Sequence, residues 1–325
     1  MKAIDTWERV LVALIVLVYV VFGLGIHGFL APYAIADSTT NMSEKAIIAL
    51  AMALLVVAGE IDLSVAATMA LSSLAMGFAM KAGAGLPLML AAAAGTGVAC
   101  GALNGWLVTR WQLPSIVVTI GTLSLYRGLA QVLLGDQAIT GYPDSLSTWG
   151  NGTLGDLVGL PKLIVPIEFA VMALMAIAVG LLLHRTVHGR RIFAIGANRI
   201  AARFSGISVD RYRFLLFVFA GLMAALAAVL LTGRIGSTRP NLAMGWELDA
   251  VTIVILGGVA IEGGRGSIIG TILAAVLLGS FTFGLGMLNV SGIVMSMIVG
   301  ALLVVSMVLP RWLRYGALLR RVRVA

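Results

Sequence analysis

Ten long apolar runs decide what this chain can fold into. They lie at 10–30, 39–59, 63–81, 86–108, 115–134, 163–183, 214–232, 247–261, 267–288 and 290–309. A hydrocarbon layer about 30 Å thick is crossed by roughly 20 helical residues at about 1.5 Å each. Inside that layer no water bonds the backbone, so a run of this kind satisfies its own N–H and C=O groups as a helix. Composition agrees. Of 325 residues, 60% are hydrophobic and 11% charged, where a soluble domain carries about 25% charge. Mean hydropathy is +1.06. No stretch between the runs is long enough for an independent soluble domain. Residues 1–325 therefore read as one all-α, polytopic membrane domain of about ten transmembrane helices. Two runs are awkward. The second carries Glu44 and Lys45, and the eighth is short with Gly257-Gly258 weakening its end. Such spans are tilted, broken or shielded by neighbours.

Ten spans place both termini on one side, and the basic residues choose the side. With the termini cytoplasmic, inner segments hold sixteen: Lys2, Arg9, Arg110, Arg185, Arg190, Arg191, Arg199, Arg203, Arg211, Arg213, Arg265, Arg311, Arg314, Arg320, Arg321 and Arg323. Outer segments hold five: Lys45, Lys81, Lys162, Arg234 and Arg239. The net charge of +8 thus reflects membrane orientation and not a nucleic-acid partner. Ala34-Ile35-Ala36 has the look of a signal-peptidase site. Yet the run before it exceeds a signal sequence's apolar region and Asp5 and Glu8 precede it, so retention as a first helix is expected. The single cysteine, Cys100, forms neither an intrachain disulfide nor a cysteine metal cluster.

Catalytic signatures are absent. There is no G-x-x-x-x-G-K-[ST], H-E-x-x-H or G-x-S-x-G, so neither nucleotide hydrolysis nor the common hydrolase chemistries are expected of this chain. His184 and His188, four apart, can share a helical face, but a metal needs more ligands than these, and a polar helix end at the membrane surface suffices. Gly97, Gly101 and Gly105 form a stripe for close helix packing. Arg127, inside the fifth run, either lines a polar pathway or snorkels outward beside Tyr126. Glu168, Glu247 and Asp249 sit at helix N-terminal ends, where the dipole favours carboxylates.

Two loops stand out. Outer residues 135–162 carry Gly135, Gly141, Pro143, Gly150, Gly152, Gly155 and Pro161, a turn-rich segment with room for a short interfacial helix. Inner residues 184–213 carry seven arginines. There Asn198 can cap a short helix and Gly206 can end it. Ile200, Phe204 and Ile207 then share a face. Pattern alone leaves two uses for that face, docking into a partner's groove or lying on anionic headgroups.

Several stretches resemble the membrane permeases of sugar-importing ABC transporters of the ribose, xylose, rhamnose and autoinducer type. Gly59-Glu60-Ile61-Asp62-Leu63-Ser64 is similar to that family's G-G-I-D-L-S. Gly196-Ala197-Asn198, Ala201-Ala202 and Ser205-Gly206-Ile207 resemble its G-x-N-x-x-A-A-x-x-S-G-I, the loop that contacts the ATPase. Glu247-Leu248-Asp249-Ala250, Leu256-Gly257-Gly258 and Gly263-Gly264-Arg265-Gly266-Ser267 follow in order, and Leu113 to Thr122 and Arg127-Gly128 also fit. The resemblance implies a vitamin-B12-importer-like fold in a bacterial inner membrane. It also implies a dimer with a like or sister permease, a periplasmic sugar-binding protein and a cytoplasmic ABC ATPase that handles ATP and magnesium. The chain itself then needs no cofactor. Residues 196–207 become the coupling segment, and Gly206→Trp should uncouple ATP hydrolysis from uptake. Gly59, Glu60, Asp62, Ser64, Arg127, Glu247, Asp249, Gly263, Gly264 and Gly266 become motif or pathway candidates. One departure stands at Glu60, where the family has glycine. A glutamate at positive φ there would be strained. Glu60 and Asp62 can alternatively meet the arginine-rich inner surface.

The leading reading is a permease subunit importing a small monosaccharide such as a pentose or deoxyhexose. The alternative is a ten-helix secondary transporter of the drug/metabolite exporter type, working without an ATPase. A third is an intramembrane enzyme built on Glu60, Asp62, His184 and His188.

Overall fold

The computed structural model of the chain describes residues 6–160, 163–302 and 304. Helices dominate: α1 (Thr6–Gly25), α2 (Pro32–Val57), α3 (Val65–Lys81), α4 (Leu86–Arg110), α5 (Ser115–Leu134), α6 (Asp144–Asn151), α7 (Leu154–Val158), α8 (Ile167–Arg185), α9 (Val187–Ala197), α10 (Arg199–Phe204), α11 (Val209–Ile235), α12 (Trp246–Leu256) and α13 (Ile268–Met287). A further apolar helix, α14, spans Gly292–Leu302. Two short strands, β1 (Ile139–Thr140) and β2 (Ser237–Thr238), pair antiparallel, with Ile139 opposite Thr238. Among the described residues seven helices are long and apolar enough to cross a membrane: α1, α2, α4, α5, α8, α11 and α13. The protein is an all-α polytopic membrane protein. α3, α12 and α14 are shorter. Lys2, Asp5, Pro161, Lys162, Arg311, Arg314, Arg320, Arg321, Arg323 and the end of the tenth run lie outside the described residues.

Proline sets several starts. Pro32 opens α2, Pro87 lies in the first turn of α4, and Pro114 and Pro166 immediately precede α5 and α8. Proline lacks an N–H that the first turn has no use for, and its φ is already helical.

The awkward second span is neither broken nor exposed. α2 is a continuous helix whose apolar window is 83% buried, against 17% for α1, so α2 is central and α1 peripheral. Neighbours shield its charges: Arg234 of α11 forks onto both oxygens of Glu44 at 2.9 Å, and Lys45 reaches Asp249 of α12 at 2.6 Å. The eighth span ends as its glycines suggest, with Gly257 the C-cap of α12 and Gly258 at φ +85°. α1 starts and ends earlier than expected: it runs from Thr6 to Gly25, and residues 26–31 turn before α2.

The glycine stripe of α4 packs against α11. A Cβ on Gly97 would lie 2.3 Å from the carbonyl oxygen of Gly221, and one on Gly101 would lie 2.3 Å from that of Phe217. The two backbones touch, which only small residues allow. The 135–162 segment carries two short helices and a strand. Its α7 starts with a capping box between Thr153 and Asp156. β1 ties the segment to the chain beyond α11.

Candidate functional site

Three distant stretches meet at the arginine-rich end of the molecule. The first is the turn from α2 to α3. Gly59 N–H bonds Val56 C=O and Glu60 N–H bonds Leu55 C=O, both at 2.9 Å, closing a Schellman turn around Gly59 at φ +77°. The second is the α9–α10 segment. The third is the glycine-rich turn from α12 to α13, where Gly264 N–H donates to Val57 C=O at 2.8 Å. Gly196, in α9, is where the three touch. A Cβ there would sit 1.8 Å from the Val57 carbonyl oxygen and 2.4 Å from Gly264 N. Gly263 packs its backbone on Gly196 and Gly59, and Gly264 on Ala197. Gly266 faces the side chains of Val57 and Val259. Motif glycines far apart in sequence thus serve one backbone junction.

α10 rests on that junction. Asn198 caps it, its side chain accepting from Ala201 N–H at 3.0 Å. Ser205 is the C-cap, and Gly206 at φ +79° ends it in a second Schellman turn, with Ile207 N–H bonded to Ala202 C=O. Ala202 is buried, while Ala201 is exposed. Phe204 is 90% exposed and Ile200 is 71% exposed, so two large apolar side chains face outward. Ile207 departs from the expected shared face. It lies beyond the Schellman turn, where the chain reverses, and packs partly buried against the core.

Glu60 is not strained, because Gly59 takes the positive φ one residue earlier. Its carboxylate is buried and meets the arginines instead. One oxygen accepts from Arg199 Nη2 at 2.5 Å and from Arg213 Nε at 2.6 Å. Arg199 also donates to Gly59 C=O at 2.8 Å. Arg213 is buried too and reaches Asp210 at 3.3 Å and Gln112 at 3.4 Å.

Asp62 does not meet the arginines, which corrects half of the expectation for this turn. It accepts from Ser64 N–H at 2.8 Å and Ser64 Oγ at 2.7 Å. Asn104 of α4 donates to Ser64 Oγ at 2.8 Å, and Tyr126 of α5 donates to Asn104 Oδ1 at 3.3 Å. Burial lifts the Asp62 carboxyl above its usual range, opposed by the Ser64 and Asn104 donors. Beside it, Ile61 N–H donates to Ser115 Oγ at 3.2 Å, and Thr119 Oγ1 donates to Ile61 C=O at 3.3 Å. Sequence reasoning missed Arg199, Arg213, Asn104, Ser115, Thr119 and Tyr126. Asn104 and Thr119 had a signal, as polar side chains within apolar runs. Arg199 and Arg213 had none that set them apart from the five other arginines of their loop.

The remaining candidates lie elsewhere. Arg127 reaches the segment between β2 and α12. Its Nη1 donates to Pro240 C=O at 2.7 Å and Leu242 C=O at 2.8 Å, holding the segment before α12, with Glu247 as the nearby opposite charge. Glu247 and Asp249 occupy the first turn of α12, and Glu168 that of α8, as expected. Asp249 is spent on Lys45. His184 and His188 do not share a helix face. α8 ends at Arg185, and Thr186 caps a new helix. His184 Nε2 accepts from Ile268 N–H at 3.2 Å, whereas His188 Nδ1 meets the Tyr212 hydroxyl at 2.8 Å.

The junction thus carries a short helix whose two large apolar side chains, Ile200 and Phe204, face outward. Residues 34–307 match the model of a family described as the branched-chain amino acid transport system permease component. The chain belongs to this permease family. It is 35% identical over 326 residues to the autoinducer 2 import system permease protein LsrD of Yersinia enterocolitica, covering 97% of this chain and 96% of that one. The Yersinia pseudotuberculosis protein of that description is 34% identical over the same shares. That of Photorhabdus luminescens is 35% identical over 312 residues, 93% of this chain and 90% of its own. No solved structure matches the chain. These relatives are transport components, so the secondary-transporter and enzyme readings lose their support.

Proposed function

We propose that this permease is the transmembrane subunit of an ATP-binding-cassette importer for a small sugar-like solute. The carrying observation is α10, a short capped helix that presents Phe204 and Ile200 outward while Gly196 and Ala202 seat its base in the core. On this reading a cytoplasmic ABC ATPase docks on that face and supplies ATP and magnesium chemistry. A periplasmic binding protein delivers cargo to the other side, and a second copy or sister permease completes the pathway. Ten crossings in a vitamin-B12-importer-like arrangement put α9 and α10, with both termini, in the cytoplasm, in keeping with sixteen basic residues against five. The identity to autoinducer 2 import permeases makes autoinducer 2 the first cargo to try, ahead of pentoses and deoxyhexoses.

The test is uptake by proteoliposomes that hold the permease pair and its ATPase, with loaded binding protein outside. Uptake of labelled autoinducer 2 or ribose that starts on adding ATP supports the reading. Transport by the permease alone, driven by an ion gradient, overturns it.

A further inference from the structure

We propose that Glu60 is a positioning residue for transport: through Arg199 it fastens the α2–α3 turn to α10, so that displacement of α10 is carried to α4 and α5. This inference rests on α10 being the ATPase-facing helix. Three observations support it. First, Arg199 is the first residue of α10, and its guanidinium spans both Gly59 C=O and the Glu60 carboxylate. The other ion pair of α10, Arg203 with Asp210, is largely exposed, with side chains 61% and 43% accessible. Exposed pairs hold little, whereas a pair that ends on a buried carboxylate is expensive to break.

Second, Glu60 cannot swing to follow a loose partner. It is 2% exposed and is gripped from the other side by buried Arg213 of α11. Third, the same turn is bonded to the transmembrane helices. Ile61 is held by Ser115 and Thr119 of α5, and Ser64 by Asn104 of α4, which Tyr126 of α5 bonds in turn. Residues 59–64 therefore touch α10 on one side and α4 and α5 on the other. Glu60 thus adds to this junction a buried carboxylate that two arginines of the coupling loop share.

The experiment uses the full complex with its ATPase and binding protein. Because Arg199 is half-exposed and Arg213 still pairs with Glu60 in its absence, Arg199→Ala should fold as the wild type does. Its ATPase should copurify and basal ATP hydrolysis should stay within about twofold. Stimulation of hydrolysis by the binding protein, and uptake of autoinducer 2 or ribose per ATP, should each fall about five- to tenfold, the scale of a typical coupling between sites. Glu60→Gln should give the same loss, and the double variant no more than Glu60→Gln alone. Arg199→Lys should restore at least half of it. Wild-type stimulation in Arg199→Ala, or losses that multiply in the double variant, would overturn the proposal. If the wild-type complex is stimulated yet takes up neither probe, the cargo reading fails while the stimulation ratio still decides the role of Glu60.

Discussion

At the scale of single residues, the decisive positions are those where atoms meet that a change cannot separate. Gly196 is one. A methyl group there collides with the backbone of Val57, which no rotamer change relieves. Gly206 is the contrast, because its added Cβ meets nothing within 4 Å and only its φ of +79° objects. Gly206→Ala should therefore cost about 1–2 kcal/mol, and Gly196→Ala should lower the thermal midpoint in detergent much further. Differential scanning fluorimetry of the two purified variants decides this. A tryptophan at position 206 projects into open space beside Phe204, so the expected uncoupling by Gly206→Trp stands on obstruction of docking. Arg127, a pathway candidate, also has a structural role. Its bonds to Pro240 and Leu242 make Arg127→Leu a stability variant, with two carbonyls left without their donor at about 1–3 kcal/mol. Thermal midpoints compared with those of a leucine substitution at exposed Gln131 would check it.

At the scale of elements, the helices differ in what their faces do. α4 meets α11 backbone to backbone, so Gly101→Val should prevent close approach and reduce the yield of folded protein. Gly121→Val on α5, where a Cβ meets open space, should leave it unchanged. Monodispersity after detergent extraction separates the two. α10 behaves oppositely, since its large side chains face out. Ile200→Ala with Phe204→Ala should leave the thermal midpoint in place and weaken ATPase copurification by at least about tenfold. That magnitude corresponds to roughly 1.4 kcal/mol lost from a contact. The short helix α10 and its capped turn were legible, because Asn198 and Gly206 signal their roles locally. The inward turn of Ile207 was not, because it depends on where the chain goes after the Schellman turn. The break between α8 and α9 was also missed, since Thr186 as a cap looks like any threonine until the helix axis changes.

At the scale of the whole molecule, the arrangement makes sidedness testable. Cys100 is the single cysteine and is buried, so Cys100→Ser gives a background without thiols. In it, Ser205→Cys should label from the cytoplasmic face alone, and exposed Ser147→Cys from the periplasmic face alone. Labelling of both from one side would reject the proposed orientation. The centre of the molecule is α2, whose charges, buried Glu44 and half-buried Lys45, are paired across it to α11 and α12. That burial is why a span with Glu44 and Lys45 in it is compatible with lipid.

What the sequence determined by itself was the class of solvent and the local grammar: apolar runs long enough for hydrocarbon, prolines at helix starts, glycines at helix ends, and a capped basic loop. These follow from interactions between residues close in the chain. What only the tertiary structure decided was which distant groups meet. Gly59, Gly196 and Gly264 share one junction, Glu60 turns to Arg199 and Arg213, Asp62 turns away to Ser64 and Asn104, and Arg127 holds carbonyls. Hydrogen bonds and ion pairs act over a few ångströms, and helix packing, not spacing along the chain, brings those atoms within reach.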